Sequence, residues 1–461
     1  MKSQWSLLAL VLTVIPVNGT PEAACETLQS VLPGRVFFPG SEDYIEDNEH
    51  YYGSSSEASI CSVQPESAAE VGTILQIVGS GNTQSQFGIK SGGHGIAVGF
   101  SSTSGVQISL SRLHELTYDA TSSTVKIGSG LTWDQVYKQL EPFGVAVAGG
   151  RVPGVGVGGL LLGGGYSYFT DEHGLSIDNI VAHDLVLPNG TFVEVTDESD
   201  PDLFYALKLA NVINPANSSA AVQAIADWSL NNNDLKGVVA PFYAYAGGQL
   251  FFVTSMMYNA PLQPSIFDAF FNVPDAQVQV SGVMSLVEAG EVLYGGFVGN
   301  PARGSKHTVP VTYYTVPLIE EMLLQTDKIV SDAEANNRTF TAVNLVIEPY
   351  SQPFAHSKPS AYPHPPPPAR FVCPTMLEAH WENAADDEYF KNALEMAYQA
   401  ILVKAVAEGQ SMPGDVMYNN YAPPDTPVEE LYGAENLAKL RAIRERVDPG
   451  RVMALAGGFK I

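Results

Sequence analysis

The spacing of apolar residues predicts alternating helices and strands in the first part of the chain. Apolar side chains recur every three or four positions in residues 71–78 and 133–140, which predicts two helices with one buried face each. Residues 106–110 and 124–127 alternate between apolar and polar side chains, as half-buried strands do. Apolar runs on both sides of the turn sequence at residues 188–190 predict a hairpin. This part is therefore predicted to be an α+β domain.

The middle of the chain has a different pattern. Residues 250–258 and 341–348 are strand-like, whereas residues 319–335 have helical spacing. This combination predicts a second domain in which an antiparallel sheet carries helices on one face. The proline-rich residues 362–368 are predicted to form a loop, because proline fits neither a helix interior nor a central strand. A last helical pattern ends near residue 447, after which we expect the chain to return to the first domain.

The start of the chain reads as a secretory signal peptide. A lysine at position 2 precedes an apolar run of about ten residues and then small residues, and this run is too short to span a bilayer. We therefore expect a protein that is secreted or stays in the secretory pathway, with no membrane contact after signal removal. Glycosylation sequons at Asn189, Asn217 and Asn337 fit that route. A net charge of −26 argues against nucleic acid and anionic membranes as partners.

Two glycine-rich loops are the most informative motifs. The first contains Lys90, Ser91, Gly92, Gly93, His94 and Gly95, and the second spans residues 153–159 and continues into residues 163–166. Glycine lets backbone N–H groups approach a pyrophosphate closely, so the two loops together predict a cradle for a large anionic cofactor. The spacing differs from the dinucleotide fingerprint, and the phosphate-loop motif does not occur.

Further motifs occur in a fixed order along the chain. They lie at residues 32–34, 38–41, 61–65, 178–181, 188–190, 201–208, 418–422 and 457–461. Together with the two glycine loops, they resemble the FAD-linked oxidases of the vanillyl-alcohol oxidase superfamily, specifically the berberine-bridge-enzyme-like group of oxygen-dependent FAD-linked oxidoreductases. The resemblance covers nearly the whole mature chain and points to a fungal protein.

The resemblance implies an α+β fold with a two-part FAD-binding domain of the PCMH type and a substrate domain built on an antiparallel sheet with helices on one face. The predicted segments are a signal peptide (1–20), an N-terminal segment (21–54), the FAD-binding domain (55–215), the substrate domain (216–415) and a C-terminal segment returning to the flavin domain (416–461).

The resemblance also implies how FAD is held. In the family, the histidine after the glycine pair is bonded to the flavin, which implies covalent attachment through His94. Many relatives carry a second link from a cysteine at a position that Val152 occupies here, so a single link is expected. The other implied cofactor-binding residues are Lys90, Ser91, Gly92, Gly93, Gly95, Val155, Gly156, Gly158, Gly159, Gly164, Gly165 and Ile180.

Catalytic residues are implied in the motif at residues 418–422. In the family, the residue matching Asn420 lies against the flavin, and the residue matching Tyr421 can act as the base. A tyrosine with its ordinary pKa near 10 is a poor base at neutral pH, so a nearby cation is needed. Lys90 and Arg151 are both candidates for that cation, and Tyr418 is the alternative base.

Three further residues carry expectations. The resemblance implies a disulfide between Cys25 and Cys61, which leaves Cys373 as a buried, inert thiol. Glu348 follows an apolar strand at a place where an acid sometimes acts as the base in the family, but the expectation here is an exposed carboxylate at the strand end. The histidines show no metal-ligand spacing and no G-x-S-x-G motif occurs, so neither a metal site nor a serine hydrolase is expected.

One departure from the family pattern leaves the function open. About thirty residues are missing after Lys208, including a strand whose loss would expose a sheet edge. Either the gene model omits an exon, or the protein is a degraded or repurposed member of the family. The first hypothesis is an oxidase that transfers a hydride from a small substrate, a secondary-metabolite intermediate, to the flavin, which O2 reoxidises. The alternatives are an oligosaccharide or alcohol oxidase, a dehydrogenase, and a non-redox member acting as a cyclase or binding protein.

Overall fold

A four-stranded sheet and three helices form the first layer of the protein. The computed structural model describes residues 20–196, 207–213, 218–260, 264–294 and 300–461, so most of the predicted signal peptide and the sequon at Asn217 lie outside the described residues. The elements are α1 (Pro21–Val31), β1 (Val36–Phe37), α2 (Glu42–Asn48), β2 (Cys61–Val63), α3 (Ala68–Val78), β3 (Phe87–Lys90) and β4 (Val106–Ser109). The sheet order is β1-β2-β4-β3, with β4 parallel to both β2 and β3.

The predicted disulfide is confirmed. Cys25 of α1 is bonded to Cys61 of β2, and both side chains lie in the core beside α3. Cys373 is a free, buried cysteine, as predicted. The bridge therefore fastens the N-terminal helix directly to strand β2 of the first sheet.

The second part of the first domain consists of short hairpins and helices. Its elements are β5 (Leu116–Asp119), β6 (Thr124–Ile127), α4 (Trp133–Leu140), α5 (Val157–Leu162), α6 (Thr170–His173), β7 (Ala182–Val186) and β8 (Phe192–Thr196). Helix α4 begins where the sequence predicts, because Thr132 caps it and Gln135 accepts a hydrogen bond from the Thr132 backbone N–H at 3.0 Å. The predicted hairpin is confirmed as β7 paired with β8.

The second domain contains a seven-stranded antiparallel sheet. The strands are β9 (Leu207–Ile213), β10 (Gly237–Ala246), β11 (Gln249–Tyr258), β12 (Gln277–Val283), β13 (Arg303–Val311), β14 (Phe340–Ile347) and β15 (Cys373–Trp381). The helices are α7 (Ser218–Asn231), α8 (Asp268–Phe271), α9 (Leu286–Tyr294), α10 (Val316–Ala335), α11 (Asp387–Ala407) and α12 (Val428–Val447). The strand order is β12-β9-β11-β10-β14-β15-β13.

The helices α10 and α11 cover one face of this sheet, as predicted. Leu318 and Met322 of α10 and Leu394 of α11 are fully buried against Leu345 and Leu377 of the sheet. Burial of each large apolar side chain contributes roughly 1.5–3 kcal/mol, so this helix-covered face holds the domain together. None of the described helices is long and apolar enough to cross a membrane.

The opposite face of the sheet carries polar side chains at its centre. Lys306 of β13 and Asn344 of β14 both stand directly across from Glu378 of β15 in the strand register. Their strand neighbours Leu345 and Leu377 point to the helices, so the three polar residues must point the other way. This second face looks toward the first domain and forms one wall of the site described below.

Strand β9 lies inside the large sheet, between β11 and β12. Its first residues, Leu207 and Lys208, end the motif that the sequence resemblance assigns to the FAD-binding domain. The deletion predicted after Lys208 adjoins residues 214–217, which are outside the described ranges together with residues 197–206. The boundary at residue 215 and the missing strand therefore stay predictions.

Candidate active site

The two glycine-rich loops pack directly on each other. A Cβ atom on Gly92 would lie 2.4 Å from the backbone nitrogen of Gly156, and one on Gly156 would lie 2.2 Å from that of Gly92. Ser91 joins the loops, because its hydroxyl donates to the carbonyl of Ser129 at 2.6 Å and accepts from the N–H of Gly158 at 3.3 Å. Glycine at both contact positions is therefore a steric requirement.

Substitution of Gly156 by alanine tests this contact. The new methyl group would force the two loops apart, and overpacking of this kind costs roughly 1–3 kcal/mol. We expect the free energy of unfolding in urea to fall by that amount. Gly81→Ala is the control, because no heavy atom lies within 4 Å of its Cβ position. Equal effects of the two substitutions would contradict the steric account.

An open cleft of about 250 Å³ lies beside the loops. Gly92, Gly154 and His94 line it, and no heavy atom lies within 4 Å of the Cβ position on Gly154. The same is true of Gly95 and of Gly159. The Gly154 N–H itself donates to Asp134 Oδ1 at 2.8 Å, but among the described residues the Cβ positions of these three glycines face open space, which leaves room for a cofactor beside the loops.

His94 has the environment of a neutral imidazole. Its ring stacks on the ring of Tyr51, with centroids 4.0 Å apart and planes 15° apart. Burial and, secondly, the charge of Lys306 lower the pKa of His94 to about 4. The Nε2 atom is buried and has no hydrogen-bond partner within the described part of the chain. A buried ring nitrogen without a partner is unusual, and it fits a residue that bonds to a ligand.

Of the two cations proposed for Tyr421, Arg151 is the one in contact. Arg151 Nη2 donates to the Tyr421 hydroxyl at 3.3 Å. Lys90 Nζ instead donates to the backbone carbonyl of Glu46 and lines the cleft beside His94. Burial lowers the pKa of Lys90, although neighbouring carboxylates oppose the shift.

The expectation that Glu348 is exposed is wrong. Its side chain is 1% exposed and forms an ion pair with Arg151. Glu348 directly follows the last residue of β14, and the strand end lies in the interior between the sheet and the loop that carries Arg151. Burial raises the pKa of Glu348, and the Arg151 charge opposes that shift. The Tyr421 hydroxyl lies 3.4 Å from Glu348 Oε1, so the three side chains form one acid–base group.

Tyr418 has a different environment. It is buried, and its hydroxyl accepts a hydrogen bond from Asn420 Nδ2 at 2.9 Å. Burial raises the pKa of Tyr418 to about 12. Asn420 also donates to the carbonyl of Leu160 at 3.3 Å, and it packs so closely that a Cβ atom on Gly163 would lie 2.3 Å from its amide. Tyr418 and Asn420 therefore fasten the C-terminal motif to the second glycine loop.

The large sheet contributes polar residues to the site that the sequence pattern did not predict. Lys306 Nζ lies 5.3 Å from the ring centroid of Tyr421. Glu378 accepts hydrogen bonds from the Tyr52 hydroxyl and from Asn344 Nδ2, the latter at 3.1 Å. Burial acts to raise the pKa of Glu378, but His380, Lys306 and Tyr52 together hold it well below its usual range. The signal in the sequence is a glutamate inside the mainly apolar residues 373–381, whereas the residues around Lys306 are themselves polar and give no comparable signal.

Other predicted cofactor-binding residues lie in the same region. Gly164 and Gly165 have positive φ values of 97° and 82°, and they follow α5. Val155 accepts a hydrogen bond from the Trp133 N–H at 3.0 Å, and Ile180 ends the turn at residues 176–179. Their contacts with a cofactor stay predictions. Asn189 and Asn337 are exposed, and their glycosylation stays a prediction as well.

Across the described ranges, no group of three or more His, Cys, Asp or Glu side chains is arranged to hold a metal ion. The residues present do fit a flavin. The Cβ position of Gly154 faces open space at the cleft, and His94 offers a neutral ring. Within the part of the chain that the structure describes, His94 Nε2 and Glu348 Oε2 are both buried without a hydrogen-bond partner.

Comparison with known proteins supports this reading. Residues 60–196 match the family described as FAD binding domain. The FAD-dependent monooxygenase drtC of Aspergillus calidoustus is 28% identical over 95% of this chain and 90% of its own length.

Two solved structures share the fold. BBE-like 1 of Physcomitrella patens superposes with a TM-score of 0.75 at 16% identity, covering 93% of this chain and 97% of its own. Xylooligosaccharide oxidase from Myceliophthora thermophila C1, in complex with xylobiose, gives a TM-score of 0.74 at 18% identity over 95% of this chain and 100% of its own.

Proposed function

We propose that this chain is an FAD-linked oxidoreductase of the berberine-bridge-enzyme-like family and that it oxidises a small organic substrate by hydride transfer to a flavin attached to His94. The observation that carries the proposal is the group formed by Arg151, Glu348 and Tyr421. A hydroxyl between a guanidinium and a buried carboxylate has both a hydrogen-bond donor and a proton acceptor within reach.

Each residue of this group has a separate role. Tyr421 takes the proton from the substrate hydroxyl or other acidic group, and its own proton moves to Glu348 Oε1, 3.4 Å away. Arg151 donates to the Tyr421 oxygen and stabilises the negative charge that develops there. Lys306, on the face of the ring, adds to this positive field. When bound, FAD accepts the hydride, and O2 restores its oxidised form with release of hydrogen peroxide.

Attachment of the cofactor requires a neutral imidazole, which His94 provides at neutral pH. With FAD bound, the ring nitrogen of His94 that carries no hydrogen would hold the cofactor by a bond to the flavin 8α-methyl carbon. The methyl carbon would lose one hydrogen and the imidazole its N–H hydrogen, and O2 would take up both, with two electrons, as hydrogen peroxide. Val152 leaves no thiol for a second link, so the proposed attachment is single.

The first experiment is an absorbance spectrum of the purified protein before and after acid precipitation. We expect the yellow colour to stay with the precipitate. In His94→Ala the flavin should pass into the supernatant, whereas in the control His114→Ala, which changes an exposed histidine, it should stay with the protein. A colourless wild-type protein would contradict the assignment of an oxidoreductase, and a yellow one that releases all its flavin would contradict attachment alone.

The substrate is proposed to be a secondary-metabolite intermediate, such as a phenolic or polyketide-like alcohol. The xylooligosaccharide oxidase shares the fold, so oligosaccharides are the alternative class. Substrate-dependent peroxide release separates the two classes when phenolic alcohols and oligosaccharides are compared as panels. If the wild-type protein retains its flavin but releases no peroxide with either panel of substrates, a non-redox role would be favoured.

Monooxygenation is a second candidate reaction, because the fungal relative is called a monooxygenase. The two reactions differ in the fate of oxygen. An oxidase releases one peroxide for each substrate oxidised and leaves no label from 18O2 in the product, whereas a monooxygenase transfers one labelled oxygen atom. Mass spectrometry of the product formed under 18O2 therefore decides between them.

Secretion is part of the proposal. The disulfide between Cys25 and Cys61 needs an oxidising compartment to form, and the sequons at Asn189 and Asn337 are exposed. N-terminal sequencing of protein recovered from the culture medium tests the removal of residues 1–20, and a mass shift after endoglycosidase treatment tests glycosylation.

A further inference from the structure

The loop that carries His94 has little side-chain support of its own. Gly92 and Gly93 precede His94 and Gly95 follows it. Gly93 has a φ of 69°, and no heavy atom lies within 4 Å of the Cβ position on Gly95. Because glycine-flanked backbone is conformationally permissive, the direction of the His94 ring must be fixed by a contact from outside the loop.

Tyr51 supplies that contact in two ways. Its backbone N–H donates to the carbonyl of Gly93 at 3.0 Å, and its ring stacks on the ring of His94 with centroids 4.0 Å apart. One residue thus holds both the backbone of the loop and the imidazole plane. Burial, together with the nearby Glu378 carboxylate, raises the pKa of Tyr51 to about 12, so its hydroxyl stays protonated at neutral pH.

Tyr51 is in turn anchored to the second domain. The next residue, Tyr52, is fully buried, and its hydroxyl donates to Glu378 of β15. The Tyr52 ring lies so close to β13 that a Cβ atom on Gly304 would stand 2.2 Å from it. Ser54 N–H also donates to the carbonyl of Ala302 at 2.8 Å. The stacked ring is therefore part of a segment fixed to the large sheet.

We propose that Tyr51 is a positioning residue that orients the His94 imidazole for covalent attachment of the flavin. The inference rests on the attachment proposed above. Formation of the bond needs a ring nitrogen of His94 directed at the flavin 8α-methyl carbon. Displacement of a reacting group by about 1 Å can slow such a reaction about 100-fold. The role is one of positioning because Tyr51 stacks on the His94 ring and acts through the plane of that ring.

The test compares Tyr51→Leu, which fills the space without an aromatic face, with Tyr51→Phe, which keeps the stack. Tyr118→Ala is the matched control, because Tyr118 is also half-buried and packs against one aromatic ring, that of Phe143 at 5.5 Å. Each protein is expressed with FAD, checked by circular dichroism and thermal melting, and precipitated with acid. The fraction of flavin retained in the precipitate is the readout, so activity is not needed.

We expect Tyr51→Leu to bind FAD but to retain covalently at least about threefold less of it than wild type after equal time, since slower attachment leaves more free cofactor. Tyr51→Phe and Tyr118→Ala should match wild type. Undiminished retention in Tyr51→Leu would overturn the inference. Equal losses in Tyr51→Phe or in Tyr118→Ala would also overturn it, because the hydroxyl or general stability would then be responsible.

These outcomes separate the positioning role from the attachment itself. If wild type retains no flavin after acid, attachment at His94 is refuted and the positioning role falls with it. If wild type retains flavin and Tyr51→Leu retains as much, only the positioning role is refuted. Should Tyr51→Leu fail to fold, Tyr51→His, which keeps a planar ring of smaller size, is predicted to retain flavin at an intermediate level; retention equal to wild type would then count against the proposal.

Discussion

Replacement of Tyr421 by phenylalanine is expected to lower kcat by about 100- to 1,000-fold, because a positioned general base contributes on the order of 10²–10⁴ to the rate. The substitution removes only the oxygen that lies 3.3 Å from Arg151 and 3.4 Å from Glu348. The ring remains, so its contact with Lys306 at 5.3 Å is kept and KM should change little. The rate of flavin reduction in anaerobic stopped flow is the measurement, because it isolates the step before oxygen reacts.

The chain offers a matched control for Tyr421→Phe. Tyr389 on α11 also carries a cation against its ring, with Arg338 at 5.1 Å, but it lies on the helix-covered side of the sheet. Tyr389→Phe should therefore reduce the flavin at the wild-type rate. Tyr418→Phe distinguishes the two proposed bases. A larger loss in Tyr418→Phe than in Tyr421→Phe would assign the base to Tyr418 and contradict the role given to Tyr421.

Replacement of Arg151 by methionine is expected to lower the free energy of unfolding by about 3–5 kcal/mol, the usual cost of leaving one partner of a buried ion pair alone. Glu348 is 1% exposed, so its carboxylate cannot regain water when Arg151 is removed. Urea denaturation gives the value. The control is Lys439→Met, which breaks an ion pair whose two side chains are 64% and 84% exposed and which should change stability by less than about 1 kcal/mol.

The loss of unfolding free energy in Arg151→Met should depend on pH and on the presence of Glu348. Burial raises the pKa of Glu348, and removal of Arg151 takes away the charge that opposes this shift. In the variant, Glu348 therefore binds a proton more readily in the folded state than in the unfolded state. The free energy of unfolding of the variant then rises as the pH falls, and the difference from wild type narrows toward pH 5. The double variant R151M/E348L should recover most of the loss. The ion-pair explanation would be contradicted if the loss of unfolding free energy in Arg151→Met did not change with pH and was the same in the double variant.

Local pattern and chemistry were sufficient to predict much of the fold. Helix α4 has the predicted bounds because its apolar stripe and its Thr132 cap are both local signals. The hairpin of β7 and β8 follows from its turn residues, and the covered sheet of the second domain follows from segments that alternate or recur regularly. Each of these features depends on residues within about one element of one another.

The site required information that no local pattern contains. Arg151 and Tyr421 are 270 positions apart, and which of two cations contacts the tyrosine depends on how the domains pack. Glu348 looked exposed because a glutamate after an apolar strand usually is, but its strand ends in the interior. Lys306 and Glu378 face each other only through the register of β13 and β15, which the sequence analysis did not predict.

The hydrogen bond between Asn420 and the second glycine loop determines when a newly made chain can first turn over substrate. Asn420 donates a hydrogen bond to the carbonyl of Leu160, 260 positions earlier, so the neighbouring Tyr421, the proposed base, joins the glycine loops only through a very long-range closure. At about 5–20 residues per second, a ribosome that has completed residue 196 needs roughly 10–45 s more to reach residue 421. During that interval the nascent chain has both glycine loops and His94 but no base, so it is not expected to turn over substrate or release peroxide before synthesis is nearly complete.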